Sequence, residues 1–81
     1  MKVDVKLFAG AKQAAGRASI ELDLADGATI ADLRRALGRE FTALEPVVRR
    51  AMFSINLEYA TDATIIPSDA EVACIPPVSG G

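Results

Sequence analysis

The sequence contains no histidine and no tryptophan, and Cys74 is its one cysteine. Without histidine the chain lacks the commonest metal ligand and the one side chain that ordinarily titrates near neutral pH, so a self-contained metal or acid–base site is hard to assemble. A single cysteine excludes an internal disulfide. Carboxylates remain, but Asp23, Asp26, Asp62, Asp69 and Glu71 fall at strand ends or in turn-like segments, where solvation accounts for them. No apolar run approaches the roughly 20 residues needed to cross a bilayer, and the N-terminus lacks the apolar core of a secretory signal. The expected location is therefore the cytoplasm, with no membrane partner. Nine basic residues against eleven acidic ones give a net charge of −2. No positive field or basic-aromatic run is present for a phosphate backbone, and no nucleic-acid partner is expected.

What is present is the composition of one small folded domain. Hydrophobic residues make up 51% of the 81 and charged residues 25%, which is ordinary for a globular chain and too apolar for a disordered one. A chain this short buries only a little over about 60% of its unfolded surface, so modest stability is expected.

Val3, Val5 and Leu7 alternate with Asp4, Lys6 and Phe8, which predicts a half-buried strand over 2–8. A loop is expected around residues 10–17, then a second strand in which Ile20, Leu22 and Leu24 alternate with Glu21 and Asp23. Asp26-Gly27 marks a turn. Thr29 followed by Asp32 reads as a capping box that starts a helix at Ile30. Ile30, Leu33 and Leu37 share one face of that helix, with Ala36 and Phe41 near it, while Arg34, Arg35 and Arg39 point elsewhere and read as a solubilising face or a docking patch. Pro46 opens a short helical stretch with Val47 and Val48. Residues 52–56 read as a third strand, 59–60 and 64–66 as edge pieces, and 71–75 as the last strand. The predicted order is β-β-α-β-β. Val72 and Cys74 share one face of the last strand, which makes Cys74 a small core hydrophobe rather than a reactive thiol.

The chain ends Ile75-Pro76-Pro77-Val78-Ser79-Gly80-Gly81. From average usage, Pro-Pro-x-x-Gly-Gly at one fixed place arises by chance in roughly one chain in 80,000. Two prolines remove two backbone donors and hold φ near −65°, so the sheet should stop at Ile75. Residues 1–75 then form the domain and 76–81 an extended, flexible tail that could reach roughly 20 Å. Glycine at the last two positions lets the backbone thread a narrow channel. An α-carboxylate there is a poor electrophile until it is adenylated, after which a sulfur nucleophile can displace the anhydride and leave a thiocarboxylate. The plain alternative is a frayed end of small residues, but such an end has no need of the Pro76-Pro77-Val78 spacer.

The hairpin, the long helix, the later strands and above all the tail resemble the family of molybdopterin synthase small subunits, the sulfur carriers of molybdenum cofactor biosynthesis. Leu7-Phe8-Ala9, Asn56 and Glu71-Val72-Ala73 are further matches. The resemblance implies an α+β, ubiquitin-like β-grasp fold, with one main helix across a mixed sheet. It implies that an activating enzyme related to ubiquitin activators uses ATP and magnesium to adenylate Gly81, that a sulfur donor makes the thiocarboxylate, and that no cofactor is bound permanently. It further implies insertion of residues 76–81 into a large subunit, where the Gly81 sulfur attacks cyclic pyranopterin monophosphate, and a heterotetramer of two carriers and two large subunits. On the same ground Phe8, Tyr59 and Ile75 map to the docking surface, unless they pack under loops. Ile75 stands where the family often has an aromatic, and Asp69-Ala70 where a Gly-Asp turn is common. Rival readings are a thiazole-pathway sulfur carrier, a ubiquitin-like modifier, whose tail usually carries arginine beside the diglycine, and a plain interaction module.

Overall fold

The computed structural model describes residues 1–77; the calls on Val78, Ser79, Gly80 and Gly81 lie outside the described residues. Five strands form a mixed sheet in the order β2-β1-β5-β3-β4, where β1 is Lys2–Leu7, β2 Ser19–Asp23, β3 Met52–Ile55, β4 Glu58–Ala60 and β5 Glu71–Ile75. All neighbours pair antiparallel except β1 and β5, which run parallel with Val5 opposite Val72 and Leu7 opposite Cys74. A parallel pair needs a crossover, and it is supplied by α2, Ile30–Glu40, which lies across the inner face. This is the predicted fold class.

Period-2 alternation does what it should. Val3, Val5 and Leu7 of β1, Ile20 and Leu22 of β2, Phe53 of β3, and Val72 and Cys74 of β5 are all buried. Ile30, Leu33, Ala36 and Leu37 of α2 close the other side of this core. The capping box forms as expected: Asp32 N–H donates to Thr29 Oγ1 at 3.3 Å, and Thr29 N–H donates to Asp32 Oδ2 at 2.9 Å.

Two expectations about the elements are corrected. The segment expected as a loop holds a helix, α1, Ala9–Ala15, closed by Gly16 at φ 71°, where the N–H caps Lys12 O at 2.9 Å. Only Ala11 of α1 is buried, so no apolar stripe advertised it; the run of alanines with Lys12 and Gln13, ended by a glycine, was the available signal. Residues 64–66 make only an isolated bridge, Thr29 to Ile65. The short helical stretch expected from Pro46 forms as α3, Glu45–Val48, and a 3-10 turn, Thr42–Leu44, precedes it.

Arg34 is neither solubilising nor a docking group. Its Nη1 donates to Val48 O at 2.6 Å and Ala51 O at 2.7 Å, its Nε and Nη2 reach Asp62 Oδ1, and its guanidinium lies 5.0 Å from the centre of the buried Phe53 ring. The side chain thus ties α2 to the connection leading into β3 and to the segment after β4. That geometry needs the planar fork of arginine. Arg34→Ala is expected to destabilise the chain by about 2 kcal/mol in chemical denaturation, since hydrogen bonds to a charged donor are lost and two carbonyls are left short of partners. Arg34→Lys should recover only part of this, and an unchanged midpoint in both would show that the cluster contributes nothing net.

Hydrogen bonds from Thr29 backbone and side chain hold the Asp32 carboxyl below its ordinary pKa, with Arg35 assisting. A carboxyl lowered in the folded state contributes stability that is complete above the unfolded value, about 3.9, and is lost as pH falls through the folded value. Thr29→Val should therefore lower the thermal midpoint at neutral pH, with the gap to the parent narrowing in the acid range. A gap independent of pH would show that the Thr29 hydroxyl adds nothing to the Asp32 shift and leave the backbone bond from Thr29 as its cause.

Candidate docking face and C-terminal arm

Phe8, Tyr59 and Ile75 come from three separate elements, and the sheet register decides whether they share a face. Met52 pairs with Ile75, Ser54 with Ala73, and Ser54 with Tyr59 across β3 and β4. These residues point away from α2, because their neighbours Phe53, Val72 and Cys74 point into the core. Phe8 follows β1 directly, and its N–H donates to Cys74 O at 3.2 Å, which extends the β1–β5 pairing by one step and sets Phe8 beside Ile75. The three predicted residues therefore lie on one outer face. Phe8 is 48% exposed, Tyr59 68% and Ile75 half-buried. They do not pack under loops.

Met52 completes the strip and was missed. It is 53% exposed and stands opposite Ile75; its position first in a strand whose second residue is core was the legible signal. The face runs from Phe8, Ile75 and Met52 at one end through Ala73 and the nearly covered Ser54 to Tyr59. Among the described residues no layer covers this apolar strip. Its flank is polar: Lys6 Nζ lies 2.7 Å from Glu71 Oε1, and that carboxylate raises the Lys6 pKa.

Asn56 and Glu71, noted separately in the sequence, meet. Asn56 N–H donates to Glu71 O at 2.8 Å and Glu71 N–H to Asn56 Oδ1 at 3.0 Å. The β3–β4 turn is thereby clamped to the start of β5. Asp69, in the departure from the Gly-Asp turn, takes φ 60° as an aspartate can.

The arm begins where this face ends. Pro76 and Pro77 follow Ile75 outside any strand and form one wall of a groove of about 440 Å³, whose other walls include Ala9, Gly10, Pro46, Val47 and Arg50. Cys74 is fully buried, and burial pushes its thiol up to about 11. A thiolate is the reactive form, so this sulfur is withdrawn from chemistry. Among the described residues no cluster of histidine, cysteine or carboxylate side chains could hold a metal ion, and no helix is long and apolar enough to cross a membrane.

A mixed five-strand sheet with a central parallel pair, crossed by one main helix, defines a ubiquitin-like β-grasp protein. The structure of SAMP1 from Haloferax volcanii superposes with a TM-score of 0.87 at 30% identity, covering 100% of both chains. The subunit 1 and 2 complex of the molybdopterin-converting factor from Helicobacter pylori 26695 contains a chain of like fold, with a TM-score of 0.69, 21% identity and 100% of both chains covered. A molybdopterin synthase sulfur carrier subunit of Arabidopsis thaliana is 35% identical over 81 residues, 100% of this chain and 84% of that protein. The chain belongs to the ThiS family, whose model matches residues 5–81, and within it stands with the molybdopterin synthase sulfur carrier subunits.

Native protein is expected to resist thiol alkylation at neutral pH and to be labelled once at Cys74 after unfolding, as read by intact mass. Rapid labelling of the folded chain would contradict the burial.

Proposed function

We propose that the chain is the sulfur-carrying small subunit of a molybdopterin synthase, with the carboxylate of Gly81 as the reactive group. The observation that carries this reading is the double proline that leaves the central strand beside an open apolar face and leads to Val78-Ser79-Gly80-Gly81. Family membership agrees with it.

The chemistry divides among partners. In a ubiquitin-activator-like enzyme, the Gly81 carboxylate attacks the α-phosphorus of magnesium-bound ATP, and pyrophosphate leaves. The terminal sulfur of a persulfide on the sulfur donor then attacks the acyl carbon and AMP leaves; a thiol attacks the donor-side sulfur of the resulting acyl disulfide, which frees the thiocarboxylate and leaves a disulfide on the donor. The large synthase subunit next receives residues 76–81, and the Gly81 sulfur attacks cyclic pyranopterin monophosphate; water releases the carboxylate for another round. Two deliveries build the dithiolene. This chain contributes reach, a tip narrow enough to thread, and a docking face made of Phe8, Met52, Tyr59 and Ile75. It needs no general base, which fits the absence of histidine.

Likeness to SAMP1, a small archaeal modifier protein, favours one second reading, a protein modifier joined to lysines. Val78-Ser79 in place of an arginine before the diglycine speaks for the carrier.

Incubation with activating enzyme, ATP and a sulfur donor should replace one oxygen by sulfur in the intact mass, and addition of the large subunit with the pterin precursor should give dithiolene product. Deletion of Gly81 should leave the thermal midpoint nearly unchanged and abolish both. Dithiolene formation by the truncated chain would defeat the carrier reading, and lysine conjugates without dithiolene would favour the modifier.

A further inference from the structure

The β3–β4 hairpin turns on Asn56 and Leu57, at φ 50° and 71°. Two central residues with positive φ, between Ile55 and Glu58 paired across the strands, make a type I′ turn. Asn56 suits its place, since asparagine tolerates the left-handed region and here also bonds twice to Glu71. Leu57 does not suit its place. Glycine is the residue this second position favours, and a leucine there carries backbone strain. Nothing in the fold compensates, because Leu57 is 89% exposed, the most open of the large apolar side chains. A strained, solvated leucine is unfavourable to the free chain on both counts.

Its setting is rigid. The Asn56–Glu71 bonds fasten the turn to β5, so Leu57 is held out on a preordered tip two residues from Tyr59, at the end of the apolar strip remote from the arm. An exposed apolar group fixed in advance loses little entropy when it is captured.

We infer that Leu57 is a second anchor for the large synthase subunit, inserting into an apolar pocket of that partner and setting the orientation of the sheet face while the arm enters at the other end. This rests on the reading of the outer face as the large-subunit contact. Leu57 carries the contact past Tyr59 to the far edge of the sheet, which widens the lever that fixes rotation about the arm. Strain in the turn is then the cost of carrying the anchor.

The test is calorimetric titration of the full chain with the large subunit, alongside the thermal midpoint of the free chain and steady-state sulfur transfer. Leu57→Gly and Leu57→Asn should keep or raise the midpoint, weaken binding about tenfold as expected for a lost leucine anchor, and raise KM with kcat little changed. Phe8→Asp serves as the control on the face itself. Weakened binding by Phe8→Asp with none by either Leu57 variant would overturn the anchor and leave the face standing. No loss from any of the three would overturn the face and the anchor together. Loss of affinity confined to the activating enzyme would also refute the assignment.

Discussion

Everything functional is positioned by the seat of β5 between β1 and β3. Val72 and Cys74 are fully buried under α2, while hydrogen bonds run to a parallel neighbour on one side and an antiparallel one on the other. A slip by one residue would turn Val72 and Cys74 out of the core and bring Ala73 and Ile75 in, so the register is strongly held. With the register set, the strand's end is set. Ile75 must emerge beside Phe8 and opposite Met52, and Pro76 must leave at the mouth of the groove between α1 and α3.

The two faces of the sheet then divide the labour. The inner face and α2 supply a core of aliphatic side chains with Phe53 as the one large ring. That core also takes in the only thiol, so the sulfur a cysteine could offer is removed from solvent. Among the described residues no layer covers the outer face. In a monomer this small, uncovered apolar area is unfavourable, and a partner is the natural cover. Arg34 has the opposite fate from the one its helix position implies: it is drawn inward because carbonyls of Val48 and Ala51 and the carboxylate of Asp62 converge on one fork.

Much of this was legible beforehand. Alternation in β1, β2 and β5, the Thr29–Asp32 cap, and the stop imposed by Pro76 and Pro77 are local matters, governed by side-chain period and by the φ and donor limits of single residues. Phe8, Tyr59 and Ile75 were reached through resemblance, and their shared face follows from register. What escaped notice has a common character. Helix α1 presents no apolar stripe, and Leu57, between Asn56 and Glu58, continues the alternation of Phe53 and Ile55 without marking the turn. Arg34 resembles Arg35 and Arg39 until its partners are seen.

The sequence by itself determined most of the elements, the buried period of β1, β2 and β5 and the residues that follow Ile75, because these depend on neighbours along the chain and on intrinsic backbone limits. The tertiary structure alone decided which exposed apolar residues form one surface, which arginine is structural, and where the arm departs. The shared surface depends on strand order and on the parallel pairing of β1 with β5, which brings together residues 67 positions apart, and the role of Arg34 on partners 14 to 28 positions away; no local pattern encodes either juxtaposition.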